Sequence, residues 1–417
     1  MNLNQVIIMF RSSVSSILLV FIFFHAVGGI PNIDVQPTFF IFSTLIISIF
    51  CFQLKFNFND FILCLICLIS ITFAYTLQLE YLTFKYSVTY IICILMAWYM
   101  IVLIRNGYIK ELAPKTIYWI IGVYATVGFI QFFIPDFMSF LVTRSEEAAL
   151  SFSSTGRGVR SLTGEPAHLG KIFSLLNILL IFLYINVRIT HDIKKKLICI
   201  TIFLFLVNTT ISRSAYAILF HSFIVAFLLF FLYRKFFYFF MILLLISGVL
   251  FISILLNVES DIRFIKLFIA VFNNSEYLLE QGAIKRLFNI PMILNNLSYY
   301  DWYGAGMSPN SEMSSIPSPF GRFEYLVHNR GYGGYFEYVL KFGVFSIPIT
   351  LIVFHFLNEI RKIVVTINGK NYYLGYFFSI TLFIFLFQDG TPVNPLPLFI
   401  LIYFYLNSNQ LKIIKFR

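Results

Sequence analysis

The feature that most constrains this chain is a succession of twelve apolar runs, at 12–29, 37–53, 61–78, 86–104, 116–134, 169–187, 197–212, 214–233, 236–256, 335–357, 372–388 and 393–407. A helix needs about 20 mostly apolar residues to cross the hydrocarbon of a bilayer. Inside it, every backbone polar group must find its partner within the protein, which leaves helices and closed barrels as the spanning structures. Runs of helical length joined by short turns therefore predict an all-α polytopic membrane protein of about twelve transmembrane helices. Composition agrees. Only 12% of the 417 residues are charged and 59% are hydrophobic, whereas soluble domains carry about 25% charged residues. A soluble enzyme, a disordered chain and a secreted disulfide scaffold are excluded.

The net charge of +11 would point to nucleic acid in a soluble protein. Here its distribution follows the positive-inside bias of membrane topology. With the N-terminus inside, the inner segments carry Arg11, Lys55, Arg105, Lys110, Lys115, Arg188, Lys194 to Lys196, Arg234, Lys235, Arg361, Lys362, Lys370, Lys412, Lys415 and Arg417. The short outer turns carry only Lys85 and Arg213. Both termini are thus expected in the cytoplasm. The first run ends in His25-Ala26-Val27-Gly28-Gly29 without a small-x-small cleavage site, so it reads as a span and not as a signal peptide. All five cysteines lie in or at the edge of spans, and the Cys64-x-x-Cys67 pair reads as small packed residues of an apolar helix. No cysteine is available to staple the outer loops. The chain reads as one transmembrane bundle, 1–417, with two long outer loops at 135–168 and 257–334. The apolar stretches 262–272 and 277–297 are expected to form interfacial helices of the second loop.

Candidate chemistry gathers on the outer face. The first loop holds Arg157, Arg160, Glu165, Pro166 and His168 ahead of a span. Arginine offers a planar, permanently charged fork suited to phosphate oxygens. Pro166 fits the first position of a helix, with Glu165 as its N-cap. Arg213 sits in Ser212-Arg213-Ser214-Ala215, a tight turn between two apolar runs, where a charge is costly and by default functional. The second loop holds Gln281-Gly282-Ala283-Ile284-Lys285-Arg286, then Gly304-Ala305-Gly306, then His328-Asn329 before a glycine-rich stretch that leads to the tenth run. A histidine there can act as a general base near neutral pH. Tyr299, Tyr300, Trp302 and Tyr303 offer ring faces to sugars or anchors at the interface. The outer loops hold no cluster of metal ligands. Neither a metal nor another cofactor is expected.

Taken together, the Arg160 to Ala167 stretch, Ser212-Arg213-Ser214-Ala215, the Gly282 to Arg286 segment with its following Gly304-Ala305-Gly306, and His328-Asn329 resemble the O-antigen polymerase (Wzy) family, within the wider O-antigen polymerase and ligase superfamily. The resemblance covers roughly 116–390. One departure is Ala167 where the family has Ser after Glu-Pro. The resemblance implies a metal-independent membrane glycosyltransferase of a bacterial inner membrane. It would polymerise undecaprenyl-diphosphate-linked oligosaccharide repeat units into O-antigen or capsular polysaccharide on the periplasmic face. The lipid-linked glycan would be both donor and acceptor. Membrane lipid and a chain-length regulator protein are its expected partners, and nucleic acid is not. Arg160 and Arg213, then Arg157 and Arg286, would hold the leaving diphosphate. His328 is the first candidate base and Glu165 the second. The competing readings are an O-antigen ligase, which takes the same donor to lipid A-core, and a flippase or transporter of lipid-linked oligosaccharide. Span centres almost free of charge weigh against the last, because transport paths place ionisable groups at mid-depth.

Overall fold

Helices dominate because apolar residues succeed one another without the breaks that strands and turns require. The computed structural model describes residues 3–28, 36–77, 84–109, 112–142, 158–186, 193–213, 215–233, 297, 302–304, 312–318, 321–327, 338–339, 341–367, 370–388, 394–411 and 414–415. Among them are eleven α-helices: α1 (Leu3–Phe23), α2 (Thr38–Phe50), α3 (Phe58–Leu77), α4 (Phe84–Arg105), α5 (Pro114–Gln131), α6 (Pro166–Asn186), α7 (Ile193–Ile211), α8 (Ala215–Tyr233), α9 (Ile347–Arg361), α10 (Leu374–Gln388) and α11 (Pro395–Leu411). Each occupies one of the expected apolar runs. The run 236–256 and the stretches 262–272 and 277–297 lie outside the described residues, apart from Leu297. Among the described residues, two helical segments are long and apolar enough to cross a membrane, Pro166–Ile185 and Gly343–Arg361.

Helix α6 is the axis of the bundle. It packs against α5, α7, α8 and α11, and Leu169, Phe173, Leu176 and Ile178 through Phe182 are fully or almost fully enclosed. This is why its sequence is apolar on every side, the mark of a helix with no water-facing surface. The rings of Phe182 and Phe404 stack at 3.8 Å where α6 meets α11. Outward-facing positions elsewhere stay apolar: Trp119, Phe133, Phe203 and Leu351 are exposed by more than half. Soluble monomers rarely leave so much apolar surface open.

The loops sort to two ends. At one, Lys55 N–H donates to Asn106 Oδ1 at 2.8 Å and Asn106 Nδ2 donates back to the Lys55 carbonyl at 3.1 Å. Arg105 pairs with Asp60, Lys362 with Glu359, and Lys194 donates to the Tyr372 hydroxyl. At the other end, the Tyr124 hydroxyl donates to the Phe23 carbonyl at 2.7 Å and Gly28 N–H donates to the Leu141 carbonyl at 3.2 Å.

The structure corrects the expectation at three places. The run 335–357 is not one smooth helix: a 3₁₀ turn, Gly343–Ser346, precedes α9. Gly343 is left-handed (φ 51°) because the Trp302–Gly304 segment presses on it; a β-carbon there would lie 2.1 Å from the Trp302 carbonyl oxygen. Second, the 257–334 loop contains an antiparallel hairpin, β1 (Glu312–Ser318) with β2 (Gly321–Val327). Third, a small sheet pairs β3 (Val365–Ile367) with β4 (Lys370–Tyr372) antiparallel and with β5 (Ile414–Lys415) parallel. The bundle itself is all helix.

Candidate functional site

The site is built where the end of α7 meets the chain that leads into α6. Helix α6 begins at Pro166, whose missing N–H and fixed φ suit a first turn. Glu165 is its cap residue, and its carbonyl accepts from His168 N–H (3.0 Å) and Leu169 N–H (3.2 Å). The preceding turn is tied down from several sides. Ser161, left-handed at φ 51°, donates through its N–H to Gln131 Oε1 at 2.7 Å and through its hydroxyl to the Tyr124 carbonyl at 2.7 Å. Gln131 Nε2 donates to the Ser161 and Phe137 carbonyls. The Thr163 hydroxyl lies 2.7 Å from the Arg160 carbonyl oxygen and 2.8 Å from that of Glu165. A left-handed non-glycine residue costs of order 1–3 kcal/mol and persists only where its surroundings over-determine it. That is the condition here.

This turn docks backbone-to-backbone on the turn that carries Arg213. Val159 N–H donates to the Ile211 carbonyl at 3.1 Å. Gly158, at φ 80°, lies so close that a β-carbon on it would be 2.6 Å from the carbonyl oxygens of both Ile211 and Ser212. Arg160 therefore stands one residue from a hydrogen bond whose other partner is two residues before Arg213. Arg160 is buried, at 3% exposure, whereas Arg213 is exposed. Arg213 is itself left-handed at φ 47°, and its guanidinium stands 5.1 Å over the Phe132 ring at the end of α5. Glu165, His168 and Lys171 are half-buried on the first turns of α6. The positive end of the α6 dipole opens on the same side. The result is a mouth where a buried cation and a helix N-terminus from one stretch of chain meet an exposed cation from another. Helix N-termini favour anions, and arginine forks suit phosphate oxygens.

Of the residues the sequence proposes for the site, Arg160, Glu165 and Arg213 come together here. Arg157, Arg286 and His328 lie outside the described residues. Sequence reasoning gives His168 no role, although its spacing of three from Glu165 puts the two on one helical face. It also passes over Lys341, buried at 5%, whose Nζ donates to the Tyr90 hydroxyl at 2.8 Å, and a polar group inside the bundle centred on His221.

His221, on α8, is wholly enclosed. Its Nε2 is 3.0 Å from the Asn177 side-chain nitrogen, and its Nδ1 is 3.3 Å from that of Asn208 and 3.4 Å from Ser174 Oγ. The edge of the Phe205 ring closes one side. The sequence hides this cluster because Ser174, Asn177 and His221 are scattered in apolar runs while Asn208 belongs to the polar end of α7, and only the packing of α6, α7 and α8 brings them together.

Compared with protein-family models, with curated proteins and with solved structures, the chain finds no match.

Proposed function

We propose that the chain is a multi-span membrane glycosyltransferase that polymerises undecaprenyl-diphosphate-linked oligosaccharide on the outer face of a bacterial inner membrane. In this reading both termini lie in the cytoplasm, and the end of the bundle that bears Arg160 and Arg213 faces outward. The observation that carries it is the docking of the Arg160 turn on the Arg213 turn through the Val159–Ile211 hydrogen bond. Breaking the anomeric bond leaves a lipid diphosphate whose negative charge must be stabilised as it develops. Preorganised cations in a site that excludes water supply that stabilisation without reorganising. Arg213, exposed, offers its fork to the diphosphate oxygens, while Arg160 beneath it adds a fixed field where the dielectric is low. Arg157 and Arg286 are further proposed contacts. The acceptor hydroxyl gives its proton to His328 or Glu165, a step that contributes about 10²–10⁴-fold. No metal enters this scheme.

The test uses purified protein in lipid nanodiscs with a synthetic undecaprenyl-diphosphate-linked repeat unit. Polymer ladders should form from that single substrate and disappear in Arg213→Ala and Arg160→Ala. Arg213→Lys should restore little, because an ammonium lacks the bidentate fork. Transfer that requires added lipid A-core would replace this reading with the ligase. Wild-type ladders from both alanine variants would remove the arginine pair from the site.

A further inference from the structure

We propose that His221 is a positioning residue for the anion mouth, holding the Arg213 turn through Asn208 and Ser212. The inference rests on the reading of Arg213 as a diphosphate contact. Hydrogen-bond direction can be followed from Asn208. Its side-chain nitrogen lies 3.2 Å from the Gly170 carbonyl, which can only accept. Its oxygen lies 2.6 Å from Ser212 Oγ, whose hydroxyl is shared between that oxygen and the Asn208 carbonyl at 2.9 Å. The orientation of the Asn208 amide is thereby fixed, and its second N–H points at His221 Nδ1. With Asn208 as donor at 3.3 Å, closer than Ser174 Oγ at 3.4 Å, Nδ1 is assigned as the acceptor and the ring proton to Nε2. Asn177 then has to meet that proton with its oxygen. Its amide, turned over, keeps the same shape and offers its nitrogen to Thr201 Oγ1, 3.3 Å from the atom now facing it. Thr201 is suited to accept because its own hydroxyl already donates to the Leu197 carbonyl at 2.8 Å. From Asn208 through His221, Asn177 and Thr201 to the Leu197 carbonyl the bonds then run in one sense, the arrangement in which neighbouring hydrogen bonds reinforce one another.

The outer end of this chain is the mouth itself. Ser212 is fully buried, and its N–H donates to the Asn208 carbonyl at 3.0 Å. Its own carbonyl and that of Ile211 form the floor on which Gly158 sits, and Arg213 follows directly in its left-handed conformation. A shift of Asn208 therefore moves both arginine-bearing turns. Enclosing an imidazole and two amides costs more than apolar packing unless each polar group is satisfied. The cluster lies directly below the turn, where that cost yields a fixed backbone.

The experiment measures the affinity of farnesyl diphosphate for the full-length protein in nanodiscs, with the unfolding midpoint followed alongside. An asparagine at 221 can place an acceptor where Nδ1 stands; a glutamine reaches the Nε2 position and leaves Asn208 without its acceptor. His221→Asn should bind within about threefold of wild type, and His221→Gln about tenfold more weakly, with similar midpoints for the two. Ser212→Ala, which removes the link at the mouth and leaves the imidazole in place, should weaken binding to a similar degree and keeps the test open should the histidine variants not fold. Wild-type affinity in His221→Gln or in Ser212→Ala, with affinity lost in Arg213→Ala, overturns the positioning role and spares the diphosphate contact. Wild-type affinity in Arg213→Ala overturns the contact and the positioning role with it.

Discussion

Replacing Gly158 by alanine tests the junction on which the proposed site depends. The added methyl group would stand 2.6 Å from two backbone carbonyl oxygens, those of Ile211 and Ser212. Carbon–oxygen contacts in proteins settle at about 3.3–3.6 Å, so the two turns must separate by roughly 0.7 Å. Neither obstacle is a side chain that can swing away. The left-handed backbone, φ 80°, adds about 1–2 kcal/mol for any L-residue. Both turns are anchored elsewhere, the first by Gln131 and Tyr124 and the second by Asn208. The fold should therefore survive while the spacing of Arg160 and Arg213 changes. A misplacement of about 1 Å costs about 10²-fold in rate. Turnover in the nanodisc polymerisation assay should accordingly fall between about tenfold and a hundredfold, with a monodisperse protein on gel filtration. Gly122→Ala on α5 is the control, since a β-carbon there meets nothing within 4 Å, and it should keep wild-type turnover. Gly158→Ala turnover within twofold of wild type, alongside an inactive Arg213→Ala, would refute the idea that the two turns must sit against each other.

Reporter fusions at residues 192 and 365 should read cytoplasmic, and fusions at 150 and 310 periplasmic; an outside signal at 192 would reverse the assignment of sides. His328→Ala should let lipid-linked single units accumulate while diphosphate affinity persists. Near-normal turnover in that variant, with loss in Glu165→Gln, would transfer the base role to Glu165. Burial raises the Asp60 carboxyl above its ordinary range by more than the neighbouring Arg105 lowers it. A raised value in the folded state means that the protonated acid fits best, so the contribution to stability is full below the ordinary carboxylate pKa and is lost as pH rises through the raised value. The unfolding midpoint of wild type should therefore gain on that of Asp60→Asn as pH is lowered from 7.5 to 4, and a gain in the opposite direction would contradict the burial argument.

How much of this was legible in the sequence depends on the range of the interaction. Helix positions follow from local apolarity, and the capped start of α6 follows from Glu165-Pro166 alone. The end of α7 before Ser212-Arg213 is likewise local, because Ser, Thr and Asn compete with a helix for its own backbone. The 3₁₀ turn at Gly343 is different. It is imposed by Trp302 to Gly304, about forty residues away, and no window of sequence around 343 contains that cause. The hairpin β1–β2 is obscured in a similar way: Pro317 and three serines dilute the alternation that marks a strand. His221 shows the limit most clearly. One histidine in an apolar run reads as an ordinary buried side chain, and its partners Asn177 and Asn208 come from two other helices. Arg160 is buried, which its residue type does not reveal: the turn that carries it is held down by Gln131 and Tyr124.

The distribution of buried charge bears on the proposed reading of the chain as a membrane enzyme. Among the described residues, the buried charged side chains are Arg160 and Lys341. Arg160 lies at the mouth end, and Lys341 adjoins the Trp302–Gly304 segment of the second long loop, whose Gly304 packs against the Lys341 carbonyl. His221, deeper in the bundle, is closed in by amides and hydroxyls whose hydrogen bonds end on the Leu197 carbonyl. A transporter moves its substrate through mid-depth sites that open alternately to either side, formed typically by broken helices. Helix α6 instead runs unbroken from Pro166 to Asn186, and its flanks are filled by packed Leu, Ile and Phe. The proposed reaction at one surface needs a rigid support and fixed charges at its rim, the roles this reading gives to α6 and to Arg160 and Arg213. The two left-handed residues at the mouth, Ser161 and Arg213, store strain where an anion would be held, while α6 beneath them supplies the rigidity that keeps the strain in place.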